Sequence, residues 1–182
     1  MNSSRLVIAG VILAVLAVTA VGTGAFTSAE VTRTTNMDVV NDNASIIALQ
    51  DGTSGELISL TDGQLTIDFT AGGASGVNQD ALYKFGDGSD AVNNHAFSVS
   101  NNSDTTRDIT VEYTNVANLD GASGAVTFEV YDSSGQSLGT VTPSQSSTVT
   151  LDSGETAYVV LTVDTDGVST TADFSGDLRF SA

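Results

Sequence analysis

Apolar and polar residues alternate along most of this chain with the two-residue period of a β-strand. Leu65, Ile67 and Phe69 interleave with Thr66, Asp68 and Thr70. The same period recurs at Phe97 and Val99, at Ile109, Val111 and Tyr113, and at Val126, Phe128 and Val130. Val149 with Leu151, then Ala157, Val159, Leu161 and Val163, continue it, and Phe174, Leu178 and Phe180 form a last strand. Nearer the N-terminus, Val31, Arg33, Thr35, Met37 and Val39 share one face of an extended segment, and residues 46–49 continue a second one. Gly, Asn, Asp and Ser clusters punctuate the strands, and no segment carries a helical stripe. Eight or nine such strands predict an all-β fold, an antiparallel β-sandwich of jelly-roll or immunoglobulin-like type. Residues 71–94 interrupt the pattern. Their glycines and aspartates, around the short group Leu82, Tyr83 and Phe85, predict a long surface loop or a loop carrying one short helix.

One stretch breaks the alternation altogether. Residues 6–20 (LVIAGVILAVLAVTA) form an apolar run behind Arg5, followed by the small residues of VGTGAFTSA. This is the layout of a Sec-type signal peptide, with cleavage placed after Ala25 in preference to Ala20 or Ala29. Residues 1–25 are therefore assigned to the signal and 26–182 to a single extracellular or cell-surface domain. The alternative is an uncleaved anchor through residues 6–25, which Arg5 on the cytoplasmic side would orient the same way. A twin-arginine signal, a lipobox and a type IV prepilin site are each excluded by the residues around the run.

Charge sharpens the reading. All 22 acidic residues lie beyond Ala25, opposed only by Arg33, Lys84, Arg107 and Arg179. Nucleic acid and anionic membranes would repel such a domain. Aspartate-rich, lysine-poor composition suits a protein kept soluble in concentrated salt, where the Debye length falls to about 3 Å near 1 M. With no cysteine, no disulfide staples the domain.

Catalytic constellations are scarce. His95 is the only histidine, so an HExxH zinc site is excluded, and no GxSxG elbow accompanies it. It reads as a strand-edge residue, and the chain as a non-enzyme. Oxygen donors cluster at Asp87 and Asp90 (GDGSD), at Asn41, Asp42 and Asn43, and at Asp164 and Asp166 (DTDG), where calcium is the one cofactor considered. Asn43 (NAS) and Asn101 (NNS) head N-glycosylation sequons in expected loops.

The leader ending in GTGAFTS, the following AEVTRTTNMDVV, and the later HAFSVSNNSDTTRDITVEYT and STVTLDSGETAYVVLTVDT together resemble secreted proteins of the TasA and camelysin kind, in their haloarchaeal branch, related to archaeal bundling pilins. That resemblance implies a jelly-roll-like sandwich that polymerises by donor-strand exchange. The metallopeptidase label attached to camelysins finds no zinc motif here. On this reading the chain is a structural subunit of a cell-surface or matrix filament, joined head to tail with copies of itself. Residues 26–40 would be the donor strand, seating Phe26, Val31, Met37 and Val39 in the next subunit. The alternative is a monomeric, membrane-anchored surface module that binds calcium or glycan.

Overall fold

The structure, a computed structural model, describes residues 41–182 apart from 74 and 121. The leader and residues 26–40, with Phe26, Val31, Met37 and Val39, lie outside the described residues. The described residues from 41 to 182 form one compact unit. Its architecture is all-β and antiparallel: a large sheet and a three-stranded sheet enclose one apolar core, and a two-stranded hairpin stands beside them.

In the large sheet the strands run β1 (Ile47–Asp51), β5 (Phe97–Asn101), β10 (Thr156–Asp164), β7 (Val126–Tyr131), β8 (Ser137–Val141), with β4 (Leu82–Phe85) also paired to β10. The facing sheet runs β11 (Asp177–Ser181), β6 (Arg107–Thr114), β9 (Ser147–Leu151). The hairpin is β2 (Ile58–Thr61) with β3 (Gln64–Ile67). Alternation places Ile109, Val111 and Tyr113 of β6 against Phe128 and Val130 of β7 and Phe97 and Val99 of β5. Edge-to-face contacts between Tyr113 and Phe128 (5.4 Å) and between Phe97 and Phe180 (6.2 Å) tie the two sheets together. Each fully buried aliphatic or aromatic side chain is worth about 1.5–3 kcal/mol, which lets a chain without disulfides hold together.

Among the described residues the expected strands are present, with three additions, although the last one begins at Asp177 and leaves Phe174 outside it. Asp62 and Gly63, at φ 51° and 82°, make the turn of the β2–β3 hairpin. Both residues are left-handed, the geometry for which Asp-Gly is favoured. β8 lies against β9, and Gly139 of β8 leaves room for the Ser147 side chain.

The third addition corrects the reading of residues 71–94. A single 3₁₀ turn (Ala71–Gly73) does occur there, but Leu82–Phe85 is a strand, not loop or helix. Tyr83 and Phe85 turn inward while Leu82 and Lys84 face solvent. Four residues between glycines and aspartates are too few for periodicity to reveal, and the strand exists because β10 offers it a partner across the sheet. β4 also prolongs the line of β5, since Phe85 pairs with Leu161 and Phe97 with Val159. Residues 86–96 are thus an excursion from one long strand. They fold over the outer face of the large sheet, where buried Ala91 packs on Tyr131 and Val160.

Candidate functional site

Among the described residues the facing sheet is narrower than the one it covers, and it stops at β11, whose single partner there is β6. β3 likewise pairs, among the described residues, only with β2. Between β11 and the β3 side opens a cleft of about 840 Å³. Phe128, Leu161 and Val126 line it from the core. Its walls carry half-buried apolar side chains that pack on the core and that no described residue covers fully, including Leu65, Ile67, Phe69, Phe174, Leu178 and Phe180. In a complete sandwich such positions would be closed over by another strand, and backbone groups along an edge left unpaired are a template for one.

Tyr113 fixes one wall. Its hydroxyl donates to the Phe174 carbonyl and so anchors the chain just ahead of β11. Burial pushes the phenol up to about 12, and the neighbouring Asp173 carboxylate adds to the shift. The opposite wall is fixed by the start of the described chain. Asp42 N–H donates to the Gly63 carbonyl (2.8 Å), and Asp42 Oδ2 accepts from Leu65 N–H (2.8 Å). Asp42 itself lines the cleft.

Acidic side chains border the cleft at Asp42, Asp68, Asp173 and Asp177, and among its described lining residues no Lys, Arg or His answers them. Hydrogen bonds from Thr70, its hydroxyl (2.6 Å) before its N–H (2.7 Å), hold the Asp68 carboxyl below its ordinary range. Bonds from Ser175 do the same for Asp173. Both remain charged at neutral pH.

Apart from Asp42, the residues singled out for calcium and glycan fall elsewhere. Asp87 Oδ1 accepts from Ser89 N–H (2.9 Å) and hydroxyl (2.8 Å), and Asp90 Oδ1 accepts from Asn93 Nδ2 (2.8 Å). Asp164 Oδ1 accepts from Asp166 N–H (3.1 Å). The same contact, side-chain oxygen to the N–H two residues on, recurs at Asp68, Asn101, Asn118, Asp132 and Asp173. Asp87 and Asp164 thus each hold their own turn closed. No group of three carboxylate or imidazole side chains converges among the described residues.

Asn43 is exposed in a short 3₁₀ turn (Asp42–Ala44). Asn101 does not lie in a loop, as its sequon suggested. It ends β5 and is 0% exposed, with Nδ2 near the carbonyls of Thr105 (2.8 Å), Leu151 (2.9 Å) and Asp152 (3.1 Å). Its Oδ1 accepts from Ser103 N–H (3.0 Å) and hydroxyl (2.6 Å). The spacing that spells a sequon here closes an Asx turn, and of the two asparagines only Asn43 is exposed in the folded domain. His95 sits just ahead of β5, bridged to Gly86, with Nδ1 3.0 Å from the Ala91 carbonyl and its ring 4.9 Å from that of Tyr158.

The cleft itself had one trace in the sequence, the half-alternating walls at residues 65–69 and 174–180. Nothing there indicated that they would be left uncovered. No known family model, curated protein or solved structure matches the chain.

Proposed function

We propose that this protein is a secreted, non-enzymatic subunit of a cell-surface or matrix filament, in which residues 26–40 of one copy enter the cleft of the next. The observation that carries the reading is the open, apolar-walled cleft between β11 and the β3 side, each strand paired on one side only among the described residues. A strand added there would gain main-chain hydrogen bonds from a free edge and close the core over Phe174, Leu178 and Phe180.

Residues 26–40 have the matching pattern. Val31, Met37 and Val39 share parity, so one continuous strand can turn all three inward. Phe26 has the opposite parity and is dropped from the inward set. Burying three such side chains is worth about 5–9 kcal/mol gross, before the cost of association. Fifteen extended residues span roughly 50 Å, enough to leave one domain and lie along another's cleft. Because each copy gives at one place and receives at another, the contact repeats without closing. Agreement with the TasA and camelysin resemblance of the sequence supports the same reading.

Negative-stain microscopy of the exported protein in high salt, beside a variant lacking residues 26–40, tests it. Filaments from the full mature chain alone are expected. Uniform small particles from both would overturn the proposal in favour of a monomeric surface module.

A further inference from the structure

The segment proposed to enter the cleft has an inward face that reads Val31, Arg33, Thr35, Met37, Val39. An arginine on the buried side of a strand is costly unless a carboxylate meets it. The cleft carries acidic groups on both walls, Asp68 after β3 and Asp173 ahead of β11, and no cation among its described lining residues. Each of the two has Oδ1 held by its own Asx turn, Asp68 by Thr70 and Asp173 by Ser175, so each carboxylate is fixed in place with Oδ2 outside that turn.

Resting on the strand-insertion reading above, we infer that Arg33 of one copy pairs with Asp68 or Asp173 in the cleft of the next, and that this pair sets the register of the inserted strand. Register needs such a device. Val31, Thr35, Met37 and Val39 are all small or flexible enough to be accepted two residues out of place, and a slip of two keeps the same face inward. Arg33 is the only basic residue in 26–40, so it alone marks one register from the next. The guanidinium suits the task because it can grip a carboxylate with two parallel hydrogen bonds. In concentrated salt a contact pair partly covered by the inserted strand is screened far less than charges spread over the surface.

The test is a charge exchange in the full chain, read as the critical concentration for filament formation in high salt, with thermal melting of the monomeric fraction as the control for folding. Arg33→Asp is expected to raise the critical concentration by at least about tenfold, since like charges are then brought together in the cleft. Arg33→Lys, which keeps the charge but loses the paired hydrogen bonds, is expected to raise it by a smaller factor. Combining Arg33→Asp with Asp68→Arg, or with Asp173→Arg, should restore assembly for whichever wall provides the partner. If Arg33→Asp assembles like the wild type, or if neither combination restores it, the register pair is overturned while strand insertion stands. If the wild type forms no filaments, or the chain lacking residues 26–40 still does, insertion itself is wrong and the pair falls with it.

Discussion

Replacing Asn101 with alanine should destabilise the domain more than any other single polar change in a turn. Asn101 is fully buried at the end of β5, and its amide is shared among three carbonyls from two other segments. Truncation removes about two net hydrogen bonds, worth roughly 0.5–1.5 kcal/mol each, and leaves the Leu151 carbonyl without this partner, for about 1–3 kcal/mol more. The sum is about 2–6 kcal/mol. At about 2–4 °C per kcal/mol for a domain of this size, the melting temperature should fall by roughly 4–24 °C. Asn101→Asp should be at least as damaging, because a carboxylate oxygen would then face the three carbonyls. Ser103→Ala also destroys the sequon but removes only hydroxyl contacts outside the buried core, to Asn101 Oδ1, the Thr105 carbonyl and Arg107 Nε, so it should cost about 1 kcal/mol. Melts by circular dichroism at one salt concentration, on protein expressed with and without glycosylation, measure all three. An Asn101→Ala melt within about 2 °C of the wild type would refute the structural role. Equal losses in Asn101→Ala and Ser103→Ala, seen only in the glycosylating host, would return the residue to its sequon.

Three further outcomes follow from the packing. Tyr113→Phe should cost about 1 kcal/mol by freeing the Phe174 carbonyl. With the wild-type phenol raised to about 12 when folded, stability should be unaffected up to about pH 10 and fall from there to pH 12, a loss that the phenylalanine variant lacks. Gly52→Ala places a methyl group against the His95 carbonyl, beside the bond from Gly52 N–H to the Ala96 carbonyl (3.0 Å). It should cost about 1–3 kcal/mol in a urea titration, and a neutral result would mean that the β1 edge yields freely. Chelation at constant salt should leave the melt unchanged, because Asp87 and Asp164 are engaged by their own turns. A lower melting temperature in chelator would restore calcium as a ligand.

The strands that the sequence announced are those whose burial is decided locally. Alternation in residues 107–114, 126–131 and 156–164 marks one face as apolar, and a sheet is the only way to bury one face of an extended chain. The all-β class was equally legible. What depended on partners distant in sequence was not. Leu82–Phe85 becomes a strand because β10 receives it, 76 positions further along in the pairing of Phe85 with Leu161. Asn101 is a sequon in one dimension and a buried brace in three, since its amide is satisfied by Leu151 and Asp152. The cleft is the plainest case. Leu65, Phe174 and Phe180 look like ordinary inward residues of edge strands, and only the unequal width of the two sheets leaves them open among the described residues, because whether a side chain is buried depends on what lies opposite it.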